Sequence, residues 1–139
     1  MNYRSFSFFA TTADTGLHVE ADSRAALAVA AAEGLCALLF PAGTPARVRP
    51  ALRPFEYRGD SLENSLVNLL GEILYLAYEK GLAVPRVEVL HLRRGILRCR
   101  LITVPAPVPP ALEIKSVTYH RLALRWRGQH CEIDFVLDV

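Results

Sequence analysis

Most of the last ten residues of the sequence alternate between apolar and polar side chains. Cys131, Ile133, Phe135 and Leu137 alternate with His130, Glu132, Asp134 and Asp138. A period of two is typical of a strand that buries one face and exposes the other. Residues 130–136 and 114–126 flank Arg127, Gly128 and Gln129, so we predict that they form an antiparallel hairpin.

The segment before it predicts another hairpin. Residues 86–92 and 96–104 have strand composition and flank Arg93, Arg94 and Gly95, which are typical of a tight turn. A proline-rich connection over residues 105–110 separates the two hairpins, and we expect it to be extended.

Residues 25–42 are almost all apolar and long enough to raise the question of a membrane span. Glu33 lies in their middle, however, and an acid at the bilayer centre costs roughly 2.5–3.5 kcal/mol on insertion scales. We therefore predict a mostly buried helix that follows the N-cap candidates Asp22 and Ser23 and ends at Pro41. Its apolar stripe consists of Leu27, Ala31, Leu35 and Leu38.

A second helix begins near Asp60. Asp60 can act as the N-cap, and Glu63 follows three residues later as in a capping box. An apolar stripe runs over residues 62–77 with helical spacing. Lys80 suits the negative end of the helix dipole and Gly81 suits a left-handed C-terminal residue, so we expect the helix to end there.

The remaining segments predict strands. Residues 3–10 and 16–20 are extended in character. Residues 46–57 are also extended, but Pro50 and Pro54 interrupt them, which indicates an edge strand or an irregular arm.

The order of elements predicts an α+β fold. A chain of 139 residues leaves no room for two independent cores, so we assign residues 1–139 to one domain. Six or seven strands and two helices predict mostly antiparallel sheets with the two helices packed on one side. Sixteen Lys and Arg against fourteen Asp and Glu give a net charge of +2, which is too small to indicate nucleic-acid binding by itself.

The three cysteines indicate a reducing compartment. Cys36, Cys99 and Cys131 are odd in number and lack Cys-x-x-Cys spacing, so the sequence supports neither a disulfide framework nor a zinc knuckle. The first nine residues lack the apolar region of a signal peptide. We expect the protein to be cytoplasmic.

No familiar catalytic motif occurs in the sequence. Phosphate-loop, dinucleotide-binding, His-Glu-x-x-His and Gly-x-Ser-x-Gly patterns are all absent. The four histidines are scattered, and we interpret each as a surface or core residue because the sequence shows no partner for a catalytic base. They are His18, His91, His120 and His130.

Two carboxylates and one lysine are candidate functional residues. Asp14 lies between two predicted strands and is either the acid of a tight turn or an exposed ligand. Asp138 neighbours the α-carboxylate of Val139, and these anions would suit a hard cation such as calcium or magnesium if a third came near; the alternative is a frayed terminus. Lys115 is either a solvated edge charge or a contact to phosphate or a partner.

Four segments together resemble the archeases, small proteins that activate the GTP-dependent RNA-splicing ligase. Thr12, Ala13 and Asp14 resemble the family's His-Thr-Ala-Asp element, and residues 66–75 resemble its central helix. Residues 114–120, Ile-Lys-Ser-Val-Thr-Tyr-His, resemble its stretch Ile-Lys-Ala-Val-Thr-Tyr-His. The end of the chain, residues 135–139, resembles a family end of Asp-Ile.

The resemblance implies an archease-like fold and a divalent-cation site, with calcium expected first and magnesium or manganese as alternatives. The ligands carried over are Asp14, Asp138 and Val139 through its α-carboxylate. Lys115 matches the family's functionally important lysine, and His120 ends the matching stretch. The implied activity is accessory rather than enzymatic: the chain promotes guanylylation and multiple turnover of its ligase partner in tRNA splicing or RNA repair. We expect it to contact tRNA only indirectly and not to bind a membrane.

The sequence departs from the family pattern at several places. Thr11 stands where the family has His, Leu69 where it commonly has Trp, and Gly71 where it often has Asn. The short connection over residues 105–110 replaces a family loop.

These departures leave other functions open. One alternative is a chaperone-like interaction module that has lost the ligase role. Another is a metal-dependent hydrolase that uses Asp14 and Asp138, although it lacks an evident general base. Four arginines around the first hairpin are either a direct RNA contact or a solvated face. They are Arg93, Arg94, Arg98 and Arg100.

Overall fold

The fold was analysed in a computed structural model that describes residues 3–11, 14–45 and 47–139. Within these ranges it has two helices and eight strands. The elements are β1 (Arg4–Ala10), β2 (Thr15–Ala21), α1 (Arg24–Leu39), β3 (Ala51–Arg58), α2 (Leu62–Glu79), β4 (Leu82–Arg93), β5 (Ile96–Pro105), β6 (Ser116–Thr118), β7 (Leu124–Arg127) and β8 (His130–Asp138).

The strands form two antiparallel sheets. The five-stranded sheet has the order β1-β2-β8-β6, and β7 also pairs with β8. The three-stranded sheet has the order β3-β5-β4. Helices α1 and α2 contact each other and strands of both sheets. The predicted α+β architecture, with antiparallel sheets and two helices on one side, is confirmed.

Side-chain capping defines the start of both helices. The hydroxyl of Ser23 accepts a hydrogen bond from the backbone N–H of Ala26 at 3.1 Å, as predicted for α1. The N-cap of α2 is Ser61 rather than Asp60. The helix begins at Leu62, and the residue that caps a helix is the extended residue directly before it. The hydroxyl of Ser61 accepts from the N–H of Asn64 at 3.1 Å.

Helix α1 is largely buried, as its apolar sequence predicts. Leu27, Leu35 and Leu39 have no solvent exposure. Glu33, the acid in the middle of the helix, pairs with Arg4 of β1 at 2.6 Å. In the described part of the chain, no helix is long and apolar enough to cross a membrane.

Two strand predictions need correction. The number of strands is eight instead of six or seven, because residues 114–126 do not form one continuous strand. They divide into β6 and β7, and a turn with Arg121 at a φ of 54° separates the two. Of the region over residues 46–57 that we expected to be extended, only the part from Ala51 onward forms a strand, the edge strand β3, while residues 47–50 lie before it. Ala46 lies outside the described residues.

The β4–β5 hairpin turn is confirmed and depends on its glycine. Arg94 and Gly95 have φ values of 52° and 80°, as a two-residue turn between antiparallel strands requires. A Cβ atom on Gly95 would lie 2.2 Å from the carbonyl oxygen of Gly59. The turn therefore packs closely against the segment that leads into α2.

Candidate functional site

Strand β8 positions the residues that the sequence singled out near its end. It pairs with β2 along one side and with β6 and β7 along the other. Its inward residues face the helices with no solvent exposure, and they are Cys131, Ile133, Phe135 and Leu137. Glu132, Asp134 and Asp138 alternate with them and are half-buried. We call this second side of the five-stranded sheet the outer face.

Asp14 and Asp138 come from neighbouring strands. Thr15 of β2 pairs with Leu137 of β8, and the same register continued by one residue sets Asp14 across from Asp138. Residues directly opposite in an antiparallel pair have Cα atoms about 4.5–5.5 Å apart. The backbone N–H of Thr11 donates to the carbonyl of Asp14 at 3.0 Å, and the N–H of Asp14 donates to the Thr11 hydroxyl at 2.9 Å. These two hydrogen bonds hold the backbone of Asp14 close to Thr11.

Lys115 approaches the same end of β8 from the other side. Ser116 pairs with Asp138, and the backbone N–H of Lys115 donates to the carbonyl of Asp138 at 2.7 Å. Tyr78 of α2 anchors the preceding segment, since its hydroxyl donates to the carbonyl of Leu112 at 2.6 Å and accepts from the N–H of Ile114 at 2.7 Å. The Lys115 side chain is exposed.

The strand-end site, as we call it, comprises Asp14, Asp138, Val139 and Lys115. Val139 directly follows β8 and is 41% exposed. His120 is not part of it: it follows the opposite end of β6, where its N–H donates to the hydroxyl of Thr118 at 3.3 Å. Thr12 and Ala13, which belong to the same predicted element as Asp14, lie outside the described residues.

The donor set of the strand-end site is suited to a hard cation. Asp14 and Asp138 are half-buried, and among the residues that the structure describes neither they nor Lys115 form an ion pair. Their oxygens are therefore available to a ligand. Two side-chain carboxylates and an adjacent α-carboxylate supply only oxygen, which calcium and magnesium prefer. These residues therefore supply the type of donor that calcium takes.

A second polar group lies in the middle of the outer face, and the sequence analysis missed it. Nδ1 of His18 donates to Oδ1 of Asp134 at 2.5 Å, and Nε2 lies 2.9 Å from Oε2 of Glu20. Arg125 donates to Glu132 at 2.9 Å and to Asp134 at 3.3 Å. The signal in the sequence was the alternation of acids along two strands, but pairing those strands required their register.

His130 extends this group toward the end of β2. Its Nε2 lies 3.0 Å from Oε1 of Glu20, and its Nδ1 lies 3.4 Å from Oδ1 of Asp22. We call His18, Glu20, Glu132 and Asp134, with Arg125 and His130, the histidine cluster. Two of the four histidines therefore have the carboxylate partners that the sequence did not reveal.

The charges in the histidine cluster shift the protonation of His18 and Glu20. Partial burial alone would lower the pKa of His18, but hydrogen bonds to Asp134 and Glu20, together with their negative charges, outweigh it and raise the pKa. The hydrogen bond from His18, more than its charge, lowers the pKa of Glu20. The pair therefore favours an imidazolium beside a carboxylate.

Two of the four arginines around the first hairpin, Arg98 and Arg100, pair with carboxylates. Arg98 lies 3.3 Å from Glu56, and Arg100 lies 3.2 Å from Glu88, across the exposed side of the three-stranded sheet. These cations are already paired with carboxylates, which favours the solvated-face interpretation over a direct contact to RNA.

The cysteines are unreactive core residues. All three are free and buried. Burial raises the pKa of the Cys36 thiol to about 11 and that of Cys99 to about 12. Neither is a nucleophile near neutral pH.

A groove between α2 and the segment that carries Lys115 borders the strand-end site. It has a volume of about 450 Å³, and Asn68, Gly71, Tyr75 and Tyr119 line it together with Lys115. Tyr75 and Tyr119 are 45% and 57% exposed. Tyrosine is one of the residues enriched at protein interaction surfaces.

Comparison with protein families identifies the fold's relatives. The archease protein family (MTH1598/TM1083) matches residues 6–139. The chain belongs to the archease family. The match covers nearly the whole chain, including both strand ends that carry Asp14 and Asp138, so the resemblance drawn from four short segments is confirmed. No curated protein matches the chain.

Two solved structures share the archease fold with this chain. The solution structure of Methanobacterium thermoautotrophicum protein 1598 is 19% identical, with a TM-score of 0.70 over 96% of this chain and 98% of that one. The crystal structure from Thermotoga maritima described as an archease, possible chaperone (TM1083), is 20% identical, with a TM-score of 0.59 over 94% of each chain. At these identities the likeness establishes the fold alone.

Two departures from the archease helix pattern have different structural consequences. Leu69 has no solvent exposure, so the change from Trp is a change in the core. Gly71 is exposed and lines the groove, and no atom lies within 4 Å of the position that its Cβ would occupy. The change from Asn therefore removes a polar side chain from the groove surface without altering the core.

Proposed function

We propose that this archease is an accessory protein that activates a GTP-dependent RNA-splicing ligase. It promotes guanylylation of the ligase and its multiple turnover in tRNA splicing or RNA repair, and it meets tRNA only through the ligase. It performs no covalent chemistry itself. Positioning of reacting groups in a partner can lower a barrier by several kcal/mol without new chemistry.

The observation that carries the proposal is the assembly of the strand-end site. Asp14 and Asp138 lie across from each other in the strand register, and Lys115 is hydrogen-bonded to the Asp138 backbone. In the proposal these carboxylates and the α-carboxylate of Val139 hold calcium. The charged end of the sheet enters the mouth of the ligase active site, where Lys115 contacts the partner or its nucleotide phosphate.

The groove beside Lys115 supports a protein partner. Tyr75 and Tyr119 present large, rigid contact surfaces in the groove that Lys115 also lines. A ligase that reached the strand-end site would cover this groove at the same time. His120 is assigned to the partner contact in this proposal, at the far end of the same strand.

The decisive experiment measures guanylylation of the source organism's own RNA ligase with substoichiometric amounts of the protein. The purification tag is kept away from Val139. We expect faster, multiple-turnover guanylylation with the wild-type protein and loss of most stimulation with Asp14→Asn, Asp138→Asn or Lys115→Ala. An extension beyond Val139 should also reduce stimulation, because it removes the α-carboxylate.

Matched controls separate the strand-end site from general effects on charge. Asp60→Asn changes an exposed aspartate before α2, and Lys80→Ala removes the other lysine of the chain, at the end of α2. Both controls should stimulate as the wild type does. Full stimulation by all three site variants would contradict the metal-site proposal.

The second candidate function is a chaperone-like interaction module without a ligase role. The exposed tyrosine groove favours it, since a protein partner of another kind could occupy the same surface. This candidate predicts no stimulation of a competent ligase by the wild-type protein, whereas the ligase-activator proposal predicts stimulation in the same assay.

A further inference from the structure

The middle of the outer face brings three metal-binding atoms together. Nε2 of His18, Oε2 of Glu20 and Oε2 of Glu132 lie close, and the potential ligand atoms of these residues are all within 4.8 Å of one another. Nε2 of His18 lies 2.9 Å from the first oxygen and 4.0 Å from the second. Ligands at about 2.0–2.2 Å from a tetrahedral zinc ion lie about 3.3–3.6 Å apart. Small side-chain movements would therefore give zinc geometry.

A neighbouring carboxylate orients the imidazole. Nδ1 of His18 donates to Oδ1 of Asp134 at 2.5 Å, so when a metal ion displaces the proton on Nε2, the lone pair of Nε2 is directed toward the other two donors. Asp134 is itself held by Arg125, which donates to its second oxygen at 3.3 Å. A carboxylate on the far nitrogen of a metal-binding histidine fixes the tautomer and increases its basicity.

The two carboxylate donors are oriented in the same way. Oε1 of Glu20, the oxygen that does not face His18, lies 3.0 Å from Nε2 of His130. Oε1 of Glu132 accepts from Nε of Arg125 at 2.9 Å. Each glutamate therefore has one oxygen fixed by a neighbour and one directed at Nε2 of His18, which is how outer contacts position metal ligands.

Charge and space at the cluster suit a divalent cation. Four carboxylates meet there, and among the described residues Arg125 is the one arginine or lysine hydrogen-bonded to them. They are Glu20, Asp22, Glu132 and Asp134. A cavity of about 370 Å³ opens beside the donors and is lined in part by Glu20, Glu132 and His130. Water molecules can complete the coordination of an ion from this side.

We propose that the histidine cluster binds a zinc-class transition-metal ion through His18, Glu20 and Glu132, with Asp134 as the positioning residue for His18. One imidazole nitrogen with two carboxylates is a donor set that favours zinc or cobalt, whereas calcium takes oxygen ligands. The site is separate from the strand-end site and independent of ligase activation. It adds a metal-dependent crosslink between β2 and β8.

The test is titration of the full chain, with its purification tag removed, by zinc in calorimetry and by cobalt in visible absorption. The background is the double variant Asp14→Asn/Asp138→Asn, which lacks the strand-end carboxylates. We expect one zinc ion per chain in this background and cobalt d–d bands of a nitrogen–oxygen site. His18→Gln and Glu132→Gln should each weaken zinc binding by at least about 100-fold, because each removes a ligand. Asp134→Asn should weaken it by about 10–100-fold.

The chain offers matched controls. Glu88→Gln changes a strand glutamate paired with Arg100 in the other sheet, and His91→Gln changes a half-buried strand histidine outside the cluster. Both should bind zinc as the background does. Circular dichroism checks that the variants fold, and either ligand variant is decisive if the other unfolds. Equal zinc affinity in the folded ligand variants, or no zinc binding by the background, would overturn the proposal.

Discussion

The outer face of the five-stranded sheet carries acidic side chains in two places that differ in their partners. At the strand end, Asp14 and Asp138 form no ion pair among the described residues. Four residues before Asp138 along β8, Asp134 is bound by His18 and Arg125. The carboxylate oxygens at the strand end are available for a hard cation. In the histidine cluster, hydrogen bonds already hold the potential metal ligands in position.

This difference has a physical origin in the sheet. In the middle of the sheet each residue has cross-strand neighbours, and Glu132 and Asp134 face Glu20 and His18 through the β2–β8 register. Arg125 faces Glu132 from β7 on the other side. At the end of β8 the strands stop, so carboxylates there have fewer side chains to pair with.

The largest effect is expected from a substitution in the core beneath β8, because β8 carries residues of both acidic places. Phe135 has no solvent exposure and packs in the core beneath β8. Phe135→Ala should lower the free energy of unfolding by about 3–5 kcal/mol, measured by urea denaturation. Phe8→Ala is the control, since Phe8 is 47% exposed. A cost below that of the control would mean that β8 does not organise the two sites.

Calcium should act on the strand-end site alone. At a free concentration of about 100 times its Kd, an ion that binds only the folded state stabilises a protein by about 2.7 kcal/mol. We expect calcium to raise the Tm of the wild-type protein and of His18→Gln, but not of Asp14→Asn or Asp138→Asn. A calcium-induced increase that survives both aspartate variants would place the calcium ligands elsewhere.

The histidine cluster should make stability depend on pH in chelator-treated protein. The raised pKa of His18 means that its contribution is complete below the ordinary value of 6.5 and is lost as the pH rises through the raised value. The lowered pKa of Glu20 means that its contribution is present above 4.5 and is lost as the pH falls through the lowered value. His18→Gln should therefore cost most between these two ordinary values, about 1–2 kcal/mol.

The charged groups in contact with His18 and Glu20 also affect this pH dependence. The groups around His18 and Glu20 are Asp134, Glu132, His130 and Arg125. Denaturation curves at a series of pH values, compared with His91→Gln, provide the measurement. A pH profile of His18→Gln that is identical to the wild-type profile would show that His18 does not carry this linkage.

Arg125 should contribute less than His18, because its side chain is 47% exposed. Its two ion pairs are with Glu132 and Asp134, and exposed pairs are typically worth up to about 1 kcal/mol. We expect Arg125→Met to lower the free energy of unfolding by about 0.5–1 kcal/mol, and high salt to reduce the difference. A loss that is insensitive to salt would indicate packing rather than charge.

The smallest effect on stability is expected for a substitution at the strand end in metal-free protein. In the presence of a chelator, Asp138→Asn should change the free energy of unfolding by no more than about 0.5 kcal/mol, because no described ion pair is lost. The same variant is expected to lose most ligase stimulation. A large destabilisation instead would make Asp138 a structural residue and would remove the contrast between the two places.

Much of the fold could be predicted from local patterns. The alternation in β8, the buried helix α1, the stripe of α2 and the β4–β5 turn were all readable, because each depends on a periodicity or a turn residue within a few positions. The division of residues 114–126 into two strands was not readable. Its turn places Arg121 at a positive φ, which the residue type does not suggest.

The two candidate sites also differ in how far the sequence could predict them. Asp14, Lys115 and Asp138 stood out from their local sequence, the resemblance to family motifs implied a role for each, and those roles remain predictions. The histidine cluster was missed although His18 and Asp134 are both visible in the sequence. They are 116 residues apart, and only the strand register makes them neighbours.

The sequence by itself determined which residues alternate, which stretches are helical, and that the chain resembles the archeases, since these properties depend on neighbours along the chain. The tertiary structure alone decided which carboxylates are paired and which form no ion pair among the described residues. The pairing of β2 with β8 sets His18 opposite Asp134 and carries Asp14 to Asp138. A shift of one residue in that register would turn every one of these side chains to the other face. The burial of Leu17 and Phe135 fixes the register, and it is therefore the physical basis of both sites.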